Sequence, residues 1–417
     1  MIALADANSF FVSCEWVYNP KYRNTPSVVL SNNDRCVVAM SKETKALGIK
    51  RGTPIYQIQK QIKQHDIKLF SSNYELYGQT SRFLMSGLGS FTPDLKVTSI
   101  DEAFLDLTGI EDLYRYGREI VQYISRAISI PISIGIAPSK TLAKMANMYA
   151  KKYPGYKRVC VIDTDEKRIK ALKLTKVADI WGIGDSYTDL LNYHSIHTAY
   201  DLSQKSRSWV RKYITVVGER LWMELHGIPC IQDEDLSEKK NIGTSRTFDQ
   251  PVTDFGYLME QLSNFAAKGA YKLRQQHSLT QGLIVSIYTN RFDPRKPQYT
   301  PAKYIRLSYP TLDTGEIISQ MRMGLESIYL PGIEYKRAEI ILTDITREAN
   351  FMPDFYDTTD RFKQSRLNKA TDCIRQRFGY NSIQTAVQGN CNYLGNLRRD
   401  HLTKCPSTRF SDIIEIY

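Results

Sequence analysis

The chain has no long apolar run: nothing in its 417 residues approaches the ~20 consecutive apolar positions needed to span a bilayer. Its start lacks a basic segment followed by an apolar stretch, which argues against a secretory leader. Seven cysteines, at positions 14, 36, 160, 230, 373, 391 and 405, form no CxxC and no Cys/His cluster of zinc spacing. The odd, unpaired count points to reduced thiols, and the three absences together to a soluble cytoplasmic protein. Internal repeats and low-complexity tracts are missing as well, which excludes a solenoid or a disordered tail protein.

Enough apolar material remains for a real core. Hydrophobic residues make up 42% and aromatics 11%. At a rough prior of ~150 residues per domain, this length suggests two to four domains. Lys and Arg number 56 against 44 Asp and Glu, a net charge of +12. That excess suits a polyanionic partner, because each phosphate contact releases counterions. Basicity alone is not specific.

Patterning divides the chain. Residues 1–6 read as a strand and 10–18 as a helix or turn; two short apolar runs at 28–30 and 36–40 flank the turn Ser31-Asn32-Asn33-Asp34 and suggest a hairpin. Residues 41–47 look helical, ending at Gly48. Helices are expected over 74–88, 112–128 and 139–152, with strands at 96–99, 103–107 and 131–137. Strand, helix, hairpin, helix, strand is the order of a ferredoxin-like sandwich, so the fold class is α+β. Short helices follow from about residue 170. A charged linker at 233–240 opens a separate α+β unit with β-rich runs at 282–288 and 337–344, and the polar end of the chain forms a further small module.

The most informative run is Ser99-Ile100-Asp101-Glu102-Ala103-Phe104-Leu105-Asp106, which sets two adjacent carboxylates at a strand junction. Like charges there are costly unless a cation holds them. Asp6 ends the apolar opening Met1-Ile2-Ala3-Leu4-Ala5. Strand ends that gather Asp6, Asp101 and Glu102 would make a Mg²⁺ site for phosphoryl transfer, with the Ala7 carbonyl completing one shell. A solvated acidic turn is the plainer alternative. In Asp6-Ala7-Asn8-Ser9-Phe10-Phe11, Phe10 and Phe11 are candidate nucleotide contacts, of which Phe11 would lie under the sugar and exclude a ribose 2′-OH; otherwise both are core residues of a helix.

Cations accompany these acids. Lys42 and Lys45, three apart, share one helical face and could neutralise a triphosphate, or could simply be solvated. Ser139-Lys140-Thr141-Leu142-Ala143-Lys144 and Lys151-Lys152 add more, with Lys151 the candidate for the triphosphate tail. Trp181-Gly182-Ile183-Gly184 between helical stretches has the pattern of a helix-hairpin-helix, whose Gly182 and Gly184 let backbone N–H groups approach a phosphate. Ser245-Arg246-Thr247-Phe248 and the run 291–296 mix cations, hydroxyls and aromatics, which suits tracking a nucleic-acid backbone.

Together these motifs resemble the Y-family translesion DNA polymerases, and within them the UmuC type. The resemblance runs end to end and is strongest at 6–11, 31–34, Ser71-Ser72-Asn73-Tyr74-Glu75-Leu76-Tyr77, 99–106, 141–144 and Thr408-Arg409-Phe410-Ser411-Asp412. It implies a right-hand polymerase: palm at 1–25 and 75–168, small fingers at 26–74, helix-hairpin-helix thumb at 169–234, α+β little finger at 241–348 and a UmuC-type tail at 349–417. It also implies error-prone, template-directed synthesis past damaged bases with two Mg²⁺ ions and no proofreading exonuclease. By position, Asp6, Asp101 and Glu102 match metal-binding carboxylates, Phe11 the steric gate, and Lys45 and Lys151 triphosphate contacts. Primer-template DNA and dNTPs are the implied substrates. A sliding clamp, a UmuD-like subunit and a recombinase filament are implied partners, in a bacterial, nucleoid-associated setting.

Three departures stand out. Lys42 occupies a position where many relatives have tyrosine, and Arg35 one where relatives have glycine. The clamp-binding peptide of the family is replaced by Phe351-Met352-Pro353-Asp354-Phe355-Tyr356.

Overall fold

The computed structural model describes residues 1–231, 239–352, 356–389, 398–406 and 408–413. Two compact units emerge: Met1–Glu234 with Arg399–Tyr417, and Asp235–Arg398. The expected linker at 233–240 lies almost wholly outside the described residues.

The first unit begins with β1 (Ile2–Ala7), α1 (Phe10–Tyr18), β2 (Ser27–Leu30), β3 (Val37–Met40), α2 (Lys42–Ala46) and α3 (Gln59–Gln64). Next come β4 (Lys68–Ser71), α4 (Tyr74–Gly89), β5 (Leu95–Val97), β6 (Glu102–Asp106), α5 (Leu113–Ile128), β7 (Ile132–Ala137), α6 (Lys140–Lys152) and β8 (Val159–Val161). Four helices close the run: α7 (Asp165–Leu174), α8 (Asp185–Tyr193), α9 (Ala199–Ser203) and α10 (Arg207–Leu225).

These strands make a five-stranded sheet ordered β5-β6-β1-β7-β8 and a three-stranded sheet ordered β3-β2-β4. β1 lies between β6 and β7, antiparallel to both. Its sequence alternates by size: Ala3, Ala5 and Ala7 join the core with Leu84 of α4 and Ile120 of α5, while Leu4 joins the one with Leu142 and Ala146 of α6. A central strand covered on both faces can therefore stay apolar until its last turn of pleat, where Asp6 appears.

The hairpin expected at 28–40 forms as β2 and β3. Two parallel edge strands were not anticipated: β8 beside β7, and β4 beside β2. Unlike β2 and β3, which flank a recognisable turn, these short strands have no hairpin partner next to them in the chain to reveal them.

Gly135 of β7 fixes how closely α6 approaches the sheet. A Cβ there would overlap the backbone of Asn147 and Ala143, so only glycine permits the contact. Asn147, 2% exposed, uses the closeness: its Nδ2 donates to Leu4 O at 3.2 Å and Ser133 O at 2.7 Å. Lys144 and Lys151 sit three before and four after Asn147, on the same helical face.

The second unit contains β9 (Ile242–Val252), α11 (Phe255–Gln275), β10 (Ser278–Tyr288), β11 (Ala302–Thr311), α12 (Thr314–Ile328), β12 (Tyr335–Arg347) and α13 (Arg361–Phe378). Its sheet, ordered β11-β10-β12-β9, is antiparallel throughout. Leu283, Val285, Ile340 and Leu342 meet Leu262, Phe265 and Met321 in its core. The stretch expected as one module at 349–417 is divided: α13 belongs to this unit, and residues 399–417 belong to the first. No helix among the described residues is long and apolar enough to cross a membrane.

Candidate active site

Asp6, near the end of β1, and Glu102, the first residue of β6, are cross-strand partners. Their side chains therefore emerge on one face of the sheet, the face that carries Leu4 and Phe104 and is covered by α6. From α6, Lys144 Nζ reaches Glu102 Oε2 at 2.8 Å and Lys151 Nζ reaches Asp6 Oδ2 at 2.5 Å. The four charges line a cleft of about 460 Å³ that also includes Thr141, Asp179 and Trp181.

Burial pushes the Asp6 carboxyl up to about 7, against the pull of the Lys151 ammonium, and the adjacent Glu102 carboxylate adds to the rise. Burial acts on Glu102 too, but its bonds to Lys144 and Asp6 outweigh it and hold that carboxyl below its usual range. A buried acidic pair of this kind calls for cations. Two lysine ammoniums sit on it here, and its hard oxygen donors are those Mg²⁺ prefers, so the residues fit a divalent ion.

Asp101 stands one residue before β6. Its carbonyl accepts from the Ala7 N–H at 3.0 Å, which ties it to the end of β1. Its Oδ1 accepts from Ser99 Oγ at 2.6 Å. Among the described residues no three Asp, Glu, His or Cys side chains lie close enough to form a metal-holding group. The structure brings Asp6 and Glu102 together, and leaves the Asp101 carboxylate beside Ser99.

Of the two phenylalanines, Phe10 is 3% exposed and belongs to the core. It is thereby corrected from a nucleotide contact to a core residue. Phe11 is half-buried; it stacks on Tyr77 at 4.6 Å and meets Tyr74 edge-on at 5.8 Å. Lys42 and Lys45 are exposed on α2, whose first turn is capped by Ser41. Arg35 is exposed beside the turn that precedes β3.

Gly182 adopts φ +91°, a conformation that favours glycine, and Gly184 caps α8. The intervening turn reaches the acidic pair indirectly: Trp181 lies 4.9 Å from Lys144 Nζ and 6.4 Å from the Phe104 ring. Arg246 falls in phase with the buried Ile242 and Phe248, on the helix side of the second sheet. There it lowers the pKa of Lys268, an effect second to that of burial. The expected Arg246–backbone contact thus does not lie on the open face of that sheet.

Sequence reasoning missed several residues. Lys144 was noted as a cation but not as the partner of Glu102. The open sheet face, set by alternation against the core positions, carries Ser245, which the sequence motif named, together with Arg306 and Arg337, which it did not, and the Arg337 guanidinium lies 5.4 Å over the Tyr288 ring. Period-2 spacing from Leu283 and Leu342 was the available signal.

The fold is that of a polymerase palm, with the acidic pair Asp6 and Glu102 and its two lysines at one end of the sheet. Residues 5–148 match the impB/mucB/samB family, residues 239–354 the C-terminal domain of that family, and residues 365–416 a domain of unknown function. The chain is 35% identical to Protein UmuC of Salmonella typhimurium, covering 100% of both chains. It is 34% identical to Protein ImpB of the same organism and 32% identical to Protein MucB of Escherichia coli, each over 99% of both chains. Among solved structures it resembles a Y-family DNA polymerase chimera, Dbh-Dpo4(243-245)-Dbh, with a TM-score of 0.66, 22% identity, and coverage of 83% of this chain and 100% of that one. The chain belongs to the impB/mucB/samB family, as a Y-family polymerase of the UmuC type.

Proposed function

We propose that this chain is a DNA-directed DNA polymerase that inserts deoxynucleotides opposite damaged template bases, with its chemistry centred on Asp6, Asp101 and Glu102. The observation that carries the site is the register pairing of Asp6 with Glu102 beneath the Lys144 and Lys151 ammoniums. Asp6, Asp101, Glu102 and the Ala7 carbonyl would hold two Mg²⁺ ions. Bound there, the ions supply Lewis acidity to the primer 3′-OH and to the leaving pyrophosphate. Lys151, Lys45 and Lys42 neutralise the incoming triphosphate, and Phe11 closes the space that a 2′-OH would need.

The same reading takes 1–25 with 75–168 as palm, 26–74 as fingers, 169–234 as thumb and 241–348 as little finger. Gly182 and Gly184 approach a DNA phosphate through backbone N–H groups, and the open face with Arg306 and Arg337 lies along the duplex. A sliding clamp, a UmuD-like subunit and a recombinase filament are its partners at the nucleoid. Residues 353–355 of the segment that replaces the clamp-binding peptide lie outside the described residues.

Primer extension with Mg²⁺ across an abasic site tests the reading. Asp101→Ala and Glu102→Ala are expected to lower extension by about 10²-fold or more, with primer-template binding retained. Near-normal extension by Asp101→Ala would overturn the assignment. A nucleotide cyclase on the same palm would act without primer or template, and a non-catalytic scaffold would not extend at all.

A further inference from the structure

Residues 399–406 and 408–413, late in the sequence, return to the first unit and attach around the start of α4. His401 pairs with Ser71 at the end of β4: Ser71 N–H donates to His401 O at 3.0 Å, and His401 N–H to Ser71 Oγ at 3.0 Å. Asp34 Oδ2 accepts from Ser71 Oγ and from the Asp400 N–H, each at 2.8 Å. That carboxylate belongs to a turn whose Asn33 and Asp34 both adopt positive φ, so its shape needs external support.

Asn73 works in two directions. Its Oδ1 caps α4 by accepting from Leu76 N–H, while its Nδ2 donates to Thr403 O at 3.2 Å and Thr403 Oγ1 at 3.3 Å. Two residues on, Glu75 accepts from Thr408 Oγ1 at 2.8 Å and from Arg409 at 2.6 Å. Cys405, between these anchors, is 2% exposed and lies in the same core cluster as Tyr77. Glu75 and Asn73 thus bracket Tyr74, and Tyr74 and Tyr77 are the rings packed on Phe11.

We propose that residues 399–406 and 408–412 form a strap that sets the first turn of α4 and the turn at 31–34, and so acts as a positioning element for nucleotide and sugar selection. The proposal rests on Phe11 being the sugar gate. Its chemistry is ordinary: one ion pair, six hydrogen bonds and one buried thiol hold the strap, and the bonds to Asn73 and Glu75 fix the helix end from which both supporting tyrosines project. A strap with a purely structural role would change stability and leave substrate preference alone.

Full-length charge reversals test it without disturbing the core, since the Arg409 and Glu75 side chains are 51% and 42% exposed. Glu75→Arg and Arg409→Glu are each expected to raise the dNTP KM and the ribonucleotide-to-deoxynucleotide incorporation ratio by about two- to fivefold, the scale of one exposed pair, with kcat nearly unchanged. The double reversal should restore both values. Asn73→Asp keeps the helix cap but sets a carboxylate oxygen against the Thr403 carbonyl, so it should raise the ratio together with some loss of Tm, and a Tm loss with a parental ratio counts against the strap. Phe11→Ala serves as the control on the gate. If it raises the ratio while the reversals and Asn73→Asp keep parental KM and ratio, the strap is overturned and the gate stands. If Phe11→Ala leaves the ratio unchanged, the gate falls, and the strap's claim on sugar choice falls with it.

Discussion

The Phe11 and Tyr77 rings stack 4.6 Å apart with planes 15° from parallel, and Tyr77 is itself fully buried. The Tyr77 hydroxyl is spent on Glu15 Oε1 at 2.6 Å, so the ring cannot slide without breaking a buried bond. Phe11 is thereby backed by a fixed platform. It has no hydroxyl of its own with which to accommodate a ribose.

Removal of that ring should open sugar choice. Phe11→Ala is expected to raise ribonucleotide insertion relative to deoxynucleotide insertion on the order of 10²-fold, about what an apolar wall achieves against an added hydroxyl. Single-nucleotide kcat/KM values for matched rNTP and dNTP pairs measure it. An unchanged ratio would return Phe11 to the hydrophobic core.

The acceptor beneath that platform predicts a pH dependence of folding. Burial pushes the Glu15 carboxyl up to about 7, against the opposing bonds from Tyr77 and Thr403. The native state then keeps a proton that the unfolded chain releases between its ordinary carboxyl pKa and about 7. Stability accordingly falls as pH rises through that window and levels off above it, a change on the order of 3 kcal/mol. Glu15→Gln keeps an acceptor for Tyr77 and should roughly halve the slope in urea unfolding series, because Asp6, raised to the same range, contributes over the same window. A slope identical to the parent's would show that Glu15 is not its source.

Much of this was readable in advance for a physical reason. Asp6 and Glu102 terminate apolar runs, and a charge at a strand end is visible in one dimension. Helices 74–89, 113–128 and 140–152 carry enough turns for periodicity to fix them within a residue or so of their observed bounds. Lys144 was visible as a cation, but its partner depends on how close α6 comes to the sheet, which Gly135 decides across the fold. Phe10 and Phe11 are identical in type and adjacent, and only the helix rotation separates the core ring from the half-buried one. The docking of 399–406 and 408–412 on residues more than three hundred positions earlier leaves no local signature at all.

The close contact at Gly135 predicts its own failure. Gly135→Ala would drive a methyl into the backbone of Asn147 and Ala143, neither of which is a flexible side-chain end. The expected cost is about 3 kcal/mol or more, from overpacking plus strain on the two Asn147 bonds. Because α6 must shift, Lys144 and Lys151 move off their carboxylates, and the residual folded enzyme should lose extension activity as well. Thermal unfolding together with primer extension on the folded fraction separates the two effects. A parental Tm would mean that α6 stands farther from the sheet.

In the second unit, Arg274 of α11 and Asp372 of α13 form a two-bonded pair at 2.6 and 2.9 Å, with side chains 8% and 11% exposed. Arg274 also donates to Leu312 O and Thr314 Oγ1. Asp372→Ala would leave a guanidinium in the interior with only half its acceptors, at an expected cost of about 3–5 kcal/mol. The double variant Arg274→Met with Asp372→Leu removes that pair and should lose less than Asp372→Ala, the remaining cost being the orphaned carbonyl and hydroxyl and the buried Arg375 guanidinium, which lies 3.9 Å from Asp372. Urea midpoints of the two variants decide the matter. Equal losses in both would mean that apolar packing, rather than the ion pair, holds α13 to α11.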